Sequence, residues 1–386
     1  MSELDGRFTI LYLDANAQAY GNLYGAQWSL LELARRLDRE RFAVHAIVRS
    51  NALRGALQAL GAVAHSGELR HLVLRDPRVL PRFGQQLLRS WHLVRRTKPD
   101  LIHANGVFCN HYAAALGSLA RIPSVCHTRT QVTRLQFWKY GAFLSSAIVA
   151  TSSSEADTWR PLLRRGQQLR VVYNGVDTER FRFDETRREA QRGRLGVGSQ
   201  DLVFAQVAWI GPLKRQDLFI RALRRACREA ENCVGLVVGD VLSAADVRYR
   251  ERLQAMTRQF GLQGRLRFTG FVQDMPTLYP AIDVLVMPSQ TEGCPRAVLE
   301  AMAAERPVIA TDVGGLRDIV RHGQTGLLVP SGDESALADA IVTLARNPDM
   351  RREMGKAARR QVGERFSVGT YVHAIQAIYE ELLRDP

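Results

Sequence analysis

The sequence predicts an α/β protein built from two parallel-sheet domains, on three observations. Short apolar runs alternate with stretches of helical spacing, the pattern of a parallel sheet whose two faces are covered by crossover helices. The alternation breaks over Asn174–Ser199, a charged stretch ending in Gly196-Val-Gly-Ser, and restarts at Asp201. The chain has 386 residues, more than one hydrophobic core usually serves.

Taken in order, Phe8–Leu13 is read as the opening strand. A loop containing Gly21 and Gly25 leads into a helix over Gln27–Leu37, where apolar residues recur at helical spacing. Val44–Val48 is the next strand. An Arg-rich helix, Leu87–Thr97, runs through Lys98-Pro-Asp into a strand at Leu101–His103. Ser124–His127, Ala147–Ala150 and Leu169–Tyr173 close the first series. The second series is Val203–Val207, Gly235–Val238, Leu266–Phe268, Val284–Met287, Val308–Ala310 and Gly326–Val329, with a last helix at Val368–Leu383. The expected domains are therefore 1–180 and 181–367, with 368–386 a terminal helix that packs back on the first. In two such sheets a ligand is expected between the domains, at the C-terminal ends of strands.

Composition excludes several classes. With 46% apolar and 24% charged residues the chain is neither disordered, collagen-like nor a coiled coil. Its longest apolar stretches, such as Tyr140–Thr151, fall short of the ~20 residues that span a bilayer. The start, Met1-Ser-Glu-Leu-Asp, carries two acids and runs into a strand, so no secretory signal is expected. Five cysteines (Cys109, Cys126, Cys227, Cys233, Cys294) without C-x-x-C spacing read as reduced cytoplasmic thiols rather than a zinc site or disulfides. No G-x-G-x-x-G follows either opening strand, which argues against a nicotinamide or flavin enzyme. G-x-S-x-G, G-x-x-x-x-G-K-[ST] and H-E-x-x-H are also missing.

Charge is distributed unevenly. Of 53 basic residues only four are Lys, against 39 acids, for a net +14. Residues 1–180 hold 24 basic and 13 acidic side chains, and residues 181–386 hold 29 and 26. So basic a first half suits an anionic partner, a phosphorylated substrate or a membrane surface. No basic run interleaves with aromatics as nucleic-acid binding would require, and a merely solvated Arg-rich surface is the plain alternative. Arg78, Arg82, Arg89, Arg95, Arg96 and Lys98, interleaved with Leu80, Phe83, Leu87, Leu88, Trp91 and Leu93, are the best candidate for an interfacial helix on an anionic membrane. The same apolar residues would serve equally as a core face.

The richest string is Met287-Pro-Ser-Gln-Thr-Glu-Gly-Cys-Pro-Arg-Ala-Val-Leu-Glu-Ala-Met-Ala. A buried strand stops at Pro288, a polar turn presents Glu292, and a helix is expected to start near Cys294–Pro295. Backbone N–H groups of Cys294, Arg296 and Ala297 at that helix start suit an anion or sugar hydroxyls. Glu300, eight residues after Glu292, falls on roughly the same side. An acid that complements the helix dipole plus a surface glutamate is the structural alternative.

This string resembles the Glu-x7-Glu motif of glycosyltransferase family 4, retaining enzymes with two facing Rossmann-like domains and an interdomain cleft, the GT-B fold. Further pieces occur in the family's order. They are Gly25-Ala-Gln, Asp100-Leu-Ile-His-Ala, Val125-Cys-His127, Tyr173-Asn-Gly-Val-Asp177 with Phe181, Lys214-Arg-Gln-Asp217, Val238-Gly-Asp240 and Arg267-Phe-Thr-Gly270-Phe-Val. Tyr279 to Ser289, Pro307 to Gly315 and Gly323-x-Thr-Gly326-Leu-Leu-Val-Pro330 follow. The resemblance implies a glycosyl transfer from a nucleotide-diphosphate sugar, a UDP-sugar ranking before GDP-mannose, to a hydroxyl of a glycan or lipid-linked acceptor. It implies cytoplasmic work on bacterial surface polysaccharide, peripheral to the membrane, with no metal and no cofactor beyond the donor.

The resemblance also assigns residues. Glu300 accepts from ribose hydroxyls, Glu292 sits by the donor sugar, and the turn Gly293, Cys294, Pro295, Arg296 and Ala297 holds hydroxyls and phosphate oxygens. Lys214, with Arg215 beside it, meets the diphosphate leaving group. Gly239 and Asp240 line the donor, Phe271 and Val272 lie along the base, and Gly25 lets the backbone approach the diphosphate. His127, at a strand end, lies near the reacting centre, so Glu292, His127 and Lys214 are the expected catalytic residues. Three departures stand out. Trp209 occupies the place of the family's diphosphate-binding Arg, Glu305 that of a turn Gly, and a polar insertion up to Arg248 follows Gly239-Asp-Val. A catalytically weak binding homologue and a sugar-nucleotide epimerase, which shares the fold, are the rival readings.

Overall fold

The computed structural model describes residues 6–16, 23–70, 79–130 and 132–384. Gly21 and Arg78 lie outside them. The chain divides into two compact units, Met1–Gly175 with Val368–Pro386, and Val176–Ser367.

The first unit holds a parallel sheet of β1 (Phe8–Asp14), β2 (Phe42–Val48), β3 (Val63–Ser66), β4 (Leu101–Ala104), β5 (Ser124–His127), β6 (Ala147–Ala150) and β7 (Gln168–Val171). Their order is β3-β2-β1-β4-β5-β6-β7, so the direction of winding reverses between β1 and β4. The second unit repeats the plan with β8 (Leu202–Val207), β9 (Cys233–Val238), β10 (Leu266–Gly270), β11 (Val284–Met287), β12 (Val308–Thr311) and β13 (Gly326–Val329). Its order is β10-β9-β8-β11-β12-β13, with the reversal between β8 and β11. Ligands of doubly wound sheets bind beyond the carboxyl ends of strands at such reversals. In this chain β1, β4, β8 and β11 lead to those places.

Strands expected from apolar runs are present. Fully buried segments such as Ala147–Ala150 and Val308–Thr311 carry side chains into both covered faces. The sequence reading omits β3. It is an edge strand in which Ala64 alone is buried, and His65 and Ser66 dilute its pattern. The charged stretch Asn174–Ser199 is not a bare linker. It folds into a helix, Glu185–Leu195, capped by Asp184 and closed by Gly196 at φ +65°. Arg188 and Arg192 on that helix pair with Asp283 at 2.7 and 3.3 Å, tying it into the second unit.

The terminal helix Val368–Arg384 buries Tyr371, Val372, Ile375, Ile378 and Tyr379 in the first unit's core, beside Ile10, Tyr12 and Phe42. The Arg-rich helix begins earlier than expected and spans Val79–Thr97. Phe83, Leu87, Trp91 and Leu93 pack against the core under it, and Leu80 and Leu88 alone of the six apolar residues face outward. Four of the six therefore serve as a core face, the second of the two readings that the pattern allowed. Among the described residues no helix is long and apolar enough to cross a membrane.

Candidate active site

In the second unit the end of β11 delivers the expected turn. The chain leaves the sheet at Pro288, and the helix Arg296–Ala303 starts one residue later than expected, with Pro295 as its N-cap. Glu292 is 8% exposed. Its Oε1 accepts the Ser289 hydroxyl at 2.7 Å and meets Lys214 Nζ at 2.6 Å. Its backbone carbonyl accepts Gly315 N–H at 3.0 Å, and the Ser289 carbonyl accepts the Thr311 hydroxyl at 2.6 Å. The carboxylate is thus held by β8, β11 and β12 together, and the two residues expected to be catalytic in this unit are ion-paired to one another.

Lys214 comes from a short 3-10 turn, Pro212–Lys214, beyond β8. Gln206, near the end of that strand, donates from Nε2 to the Lys214 carbonyl at 2.5 Å, and Gln290 N–H donates to the Leu213 carbonyl at 2.9 Å. Both bonds lash the lysine turn to the glutamate turn. Arg215 does not join them. It starts the next helix at φ +52° and gives its guanidinium to Asp217 at 3.1 and 3.3 Å, where Arg221 also binds. Trp209 lays its ring over Gly211 so closely that a Cβ there would overlap it. This indole brings an apolar face and no cation where the family places an Arg.

Glu300, also 8% exposed, lies two turns along the helix. Tyr279 Oη donates to its Oε2 at 2.9 Å, and Arg296 Nε donates to Oε1 at 3.2 Å. Burial, and after it the Glu300 charge, pushes the Tyr279 phenol well above its ordinary range, so it stays a donor. The carboxylate is oriented from two sides and keeps lone pairs for further donors. Arg296 and Ala297 open the helix, while Gly293 and Cys294 form the turn before it.

The neighbouring strand ends complete the rim. Gly239 has φ +134°, and a Cβ there would run into the Ala208 carbonyl, so glycine is required. Its N–H donates to the Gly270 carbonyl at 2.9 Å, which joins β9 to β10. Asp240 is not left facing a diphosphate as a bare acid. Arg250 NH1 donates to its Oδ1 at 2.9 Å from Ala244–Gln259, the helix into which the polar insertion folds. Phe271 is 46% exposed just past β10, with Val272 partly buried beside it. Glu305, in place of the family's glycine, takes φ +60°, the backbone that explains the family's choice.

In the first unit Gly25 opens the helix Gly25–Arg36. His127 ends β5, fully buried. Its Nδ1 lies 3.2 Å from Nε2 of His103 on β4, whose Nδ1 lies 2.5 Å from Tyr379 Oη. Burial, then the charge of Arg129, pushes both imidazoles well below their ordinary range, so both are neutral. Arg129, two residues past His127, is held by Asn105 Oδ1, Asn174 Oδ1 and Tyr371 Oη, each at 2.9 Å. Asn105 in turn donates to buried Asp14 at 2.7 Å. His103, Arg129, Asp14 and Tyr279 were absent from the residues expected to act. His103 was visible in Asp100-Leu-Ile-His-Ala, whereas Arg129 and Asp14 had no spacing signal at all.

Among the described residues no group of three or more His, Cys, Asp or Glu is placed to hold a metal ion.

Residues 187–361 match the family model for Glycosyl transferases group 1, and residues 24–180 the model for Glycosyltransferase Family 4. The chain is 30% identical over 377 residues to D-inositol 3-phosphate glycosyltransferase of Kribbella flavida, covering 88% of this chain and 86% of that protein. It is 27% identical over 247 residues to N-acetyl-α-D-glucosaminyl L-malate synthase of Bacillus anthracis, covering 64% of this chain and 62% of that one. HepE of Anabaena, solved in complex with UDP-glucose, shares the fold at a TM-score of 0.83 and 23% identity, over 97% of this chain and 100% of that one.

Proposed function

The chain belongs to glycosyltransferase family 4, and from that premise we propose that it moves a sugar from a UDP-sugar to an acceptor hydroxyl with retention of the anomeric configuration. The observation that carries the proposal is the strand–turn–helix bearing Glu292 and Glu300, with Lys214 in ion contact with the first. Glu300, aimed by Tyr279 and Arg296, accepts from the ribose hydroxyls. Glu292 orients the donor sugar. Already bound by Lys214 and Ser289, it acts as a hydrogen-bond acceptor and not as a displaced nucleophile. When the anomeric C–O bond breaks, the diphosphate gains negative charge. Lys214 stabilises that charge, and the acceptor hydroxyl proton passes to the departing phosphate as the new C–O bond forms. Phe271, half exposed at the sheet edge, offers a face for the base. HepE, the relative in fold, was solved with UDP-glucose, which supports testing UDP-sugars before GDP-sugars.

The test is a panel of nucleotide sugars assayed for nucleoside diphosphate release, with and without candidate acceptor sugars, in EDTA. Turnover of one donor in EDTA, raised by an acceptor, is the expected result. Product that stays nucleotide-linked would instead make the protein an epimerase, and binding without turnover a non-catalytic homologue. Activity lost in EDTA and restored by manganese would contradict the role given to Lys214.

Glu300→Ala removes two ribose hydrogen bonds worth about 0.5–1.5 kcal/mol each, more with a charged acceptor. Calorimetry should show UDP affinity falling about tenfold, in line with ~1.4 kcal/mol. Unchanged affinity for both UDP and GDP would remove Glu300 from the nucleotide site.

A further inference from the structure

A file of buried polar groups runs through the first unit behind His127, and it has a direction. Tyr379 Oη donates to Tyr12 Oη at 3.1 Å. A phenol has one proton, so towards His103 Nδ1, at 2.5 Å, Tyr379 can only accept. A neutral His103 that carries its proton on Nδ1 has a bare Nε2. That nitrogen lies 3.2 Å from His127 Nδ1 and accepts its proton. The far nitrogen of His127, Nε2, is then bare as well, and it is buried with no hydrogen-bond partner. Tyr12, His103, His127 and Tyr379 are all fully buried. They come from β1, β4, β5 and the terminal helix, so no local sequence motif contains the chain.

We propose that Tyr12, Tyr379 and His103 are positioning residues that hold His127 in its Nδ1–H tautomer, so that Nε2 is presented as an acceptor for a substrate hydroxyl. The inference rests on the glycosyl-transfer reading for the identity of that hydroxyl, but the chain of tautomers does not. The charged and titratable groups around His127 agree with a neutral ring. Arg129 disfavours a second proton on it, His103 shares its Nδ1 side, and the Tyr371 ring lies 6.4 Å away with the Arg129 guanidinium over it. An unpartnered nitrogen in such a place costs free energy unless a ligand uses it. A sugar hydroxyl, donor and acceptor at once, is the group that fits a lone pair at this point.

Two-bond 1H–15N correlation spectra of 15N-histidine-labelled full-length protein read each tautomer directly. His103 and His127 are assigned by single His→Gln changes. The wild-type protein should show both rings neutral and protonated on Nδ1. Tyr12→Phe takes away the acceptor of the Tyr379 proton, which then turns to His103 Nδ1. Both histidines should switch to the Nε2–H form. Turnover of UDP-glucose should fall about tenfold with UDP affinity unchanged, because His127 now offers a donor where the substrate needs an acceptor. A merely structural role for Tyr12 would not invert two distant tautomers. An Nε2–H His127 in the wild-type protein overturns the proposal without any variant, and so does Tyr12→Phe leaving both tautomers in place. Expected tautomers in a protein that turns over no nucleotide sugar would support the hydrogen-bond chain and overturn the glycosyl-transfer reading instead.

Discussion

Lys214→Met should lower turnover about 100- to 1,000-fold and also make the second unit measurably less stable. The catalytic loss follows from the role proposed for it. Removing one preorganised donor aimed at developing negative charge, as in an oxyanion hole, costs about 2.7–4 kcal/mol. Trp209 supplies no cation at the place of the family's arginine, and Arg215 is engaged by Asp217. The stability loss has a different origin. Removing the ammonium leaves the Glu292 carboxylate, 8% exposed, with the Ser289 hydroxyl but without its ion pair at 2.6 Å. Breaking a buried pair from one side costs about 3–5 kcal/mol. The low end applies, since Lys214 keeps 16% of its side chain in solvent. For a unit of this size each kcal/mol moves Tm by about 2–4 °C, so a fall of about 6–12 °C is expected in a thermal melt. The double variant Lys214→Met with Glu292→Gln separates the two effects. Most of the lost Tm should return once the charge that Lys214 no longer balances is gone, while turnover stays low. Full activity in the single variant would end the leaving-group role, and a Tm within about 1 °C of wild type would mean that water already screens the pair.

Glu292→Gln should cut turnover about 100-fold at saturating donor, while UDP affinity changes less than threefold; the loss corresponds to ~2.7 kcal/mol. Glutamine keeps the shape and can still accept the Ser289 hydroxyl, so the turn should stay in place. It loses the charge that pairs with Lys214 and that the proposed function turns towards the donor sugar. UDP has no sugar on its diphosphate, so its affinity reports the nucleotide part of the site alone. A variant within about twofold of wild-type turnover would sink the assignment.

The two substitutions probe features that were legible to different degrees. Glu292 and Glu300 could be singled out from the string after Met287 because their spacing, eight residues across a helix start, is a local property. Among the described residues, twelve of the thirteen strands were legible for the same reason. Parallel strands covered on both faces are nearly continuous apolar runs. The edge strand β3, buried at Ala64 only, lacks that signal. The helix Glu185–Leu195 was hidden by its charge, since buried Arg192 and half-buried Arg188 are compensated by Asp283, 91 and 95 residues further along.

By itself the sequence determined the fold class, the alternating strand–helix series in two units, the glutamate pair and the place of Lys214 in the series. All of these are written in apolar periodicity and short motifs, because backbone hydrogen bonding and strand burial act over a few residues. The tertiary structure decided which side chains meet. It paired Lys214 with Glu292, turned Arg215 away to Asp217, gave Asp240 an arginine from the inserted helix, and folded the apolar face of the Arg-rich helix into the core. It also assembled Tyr12, His103, His127 and Tyr379 from four elements into one buried hydrogen-bonded file. A side chain's partner depends on where distant segments cross, and no spacing along the chain encodes that.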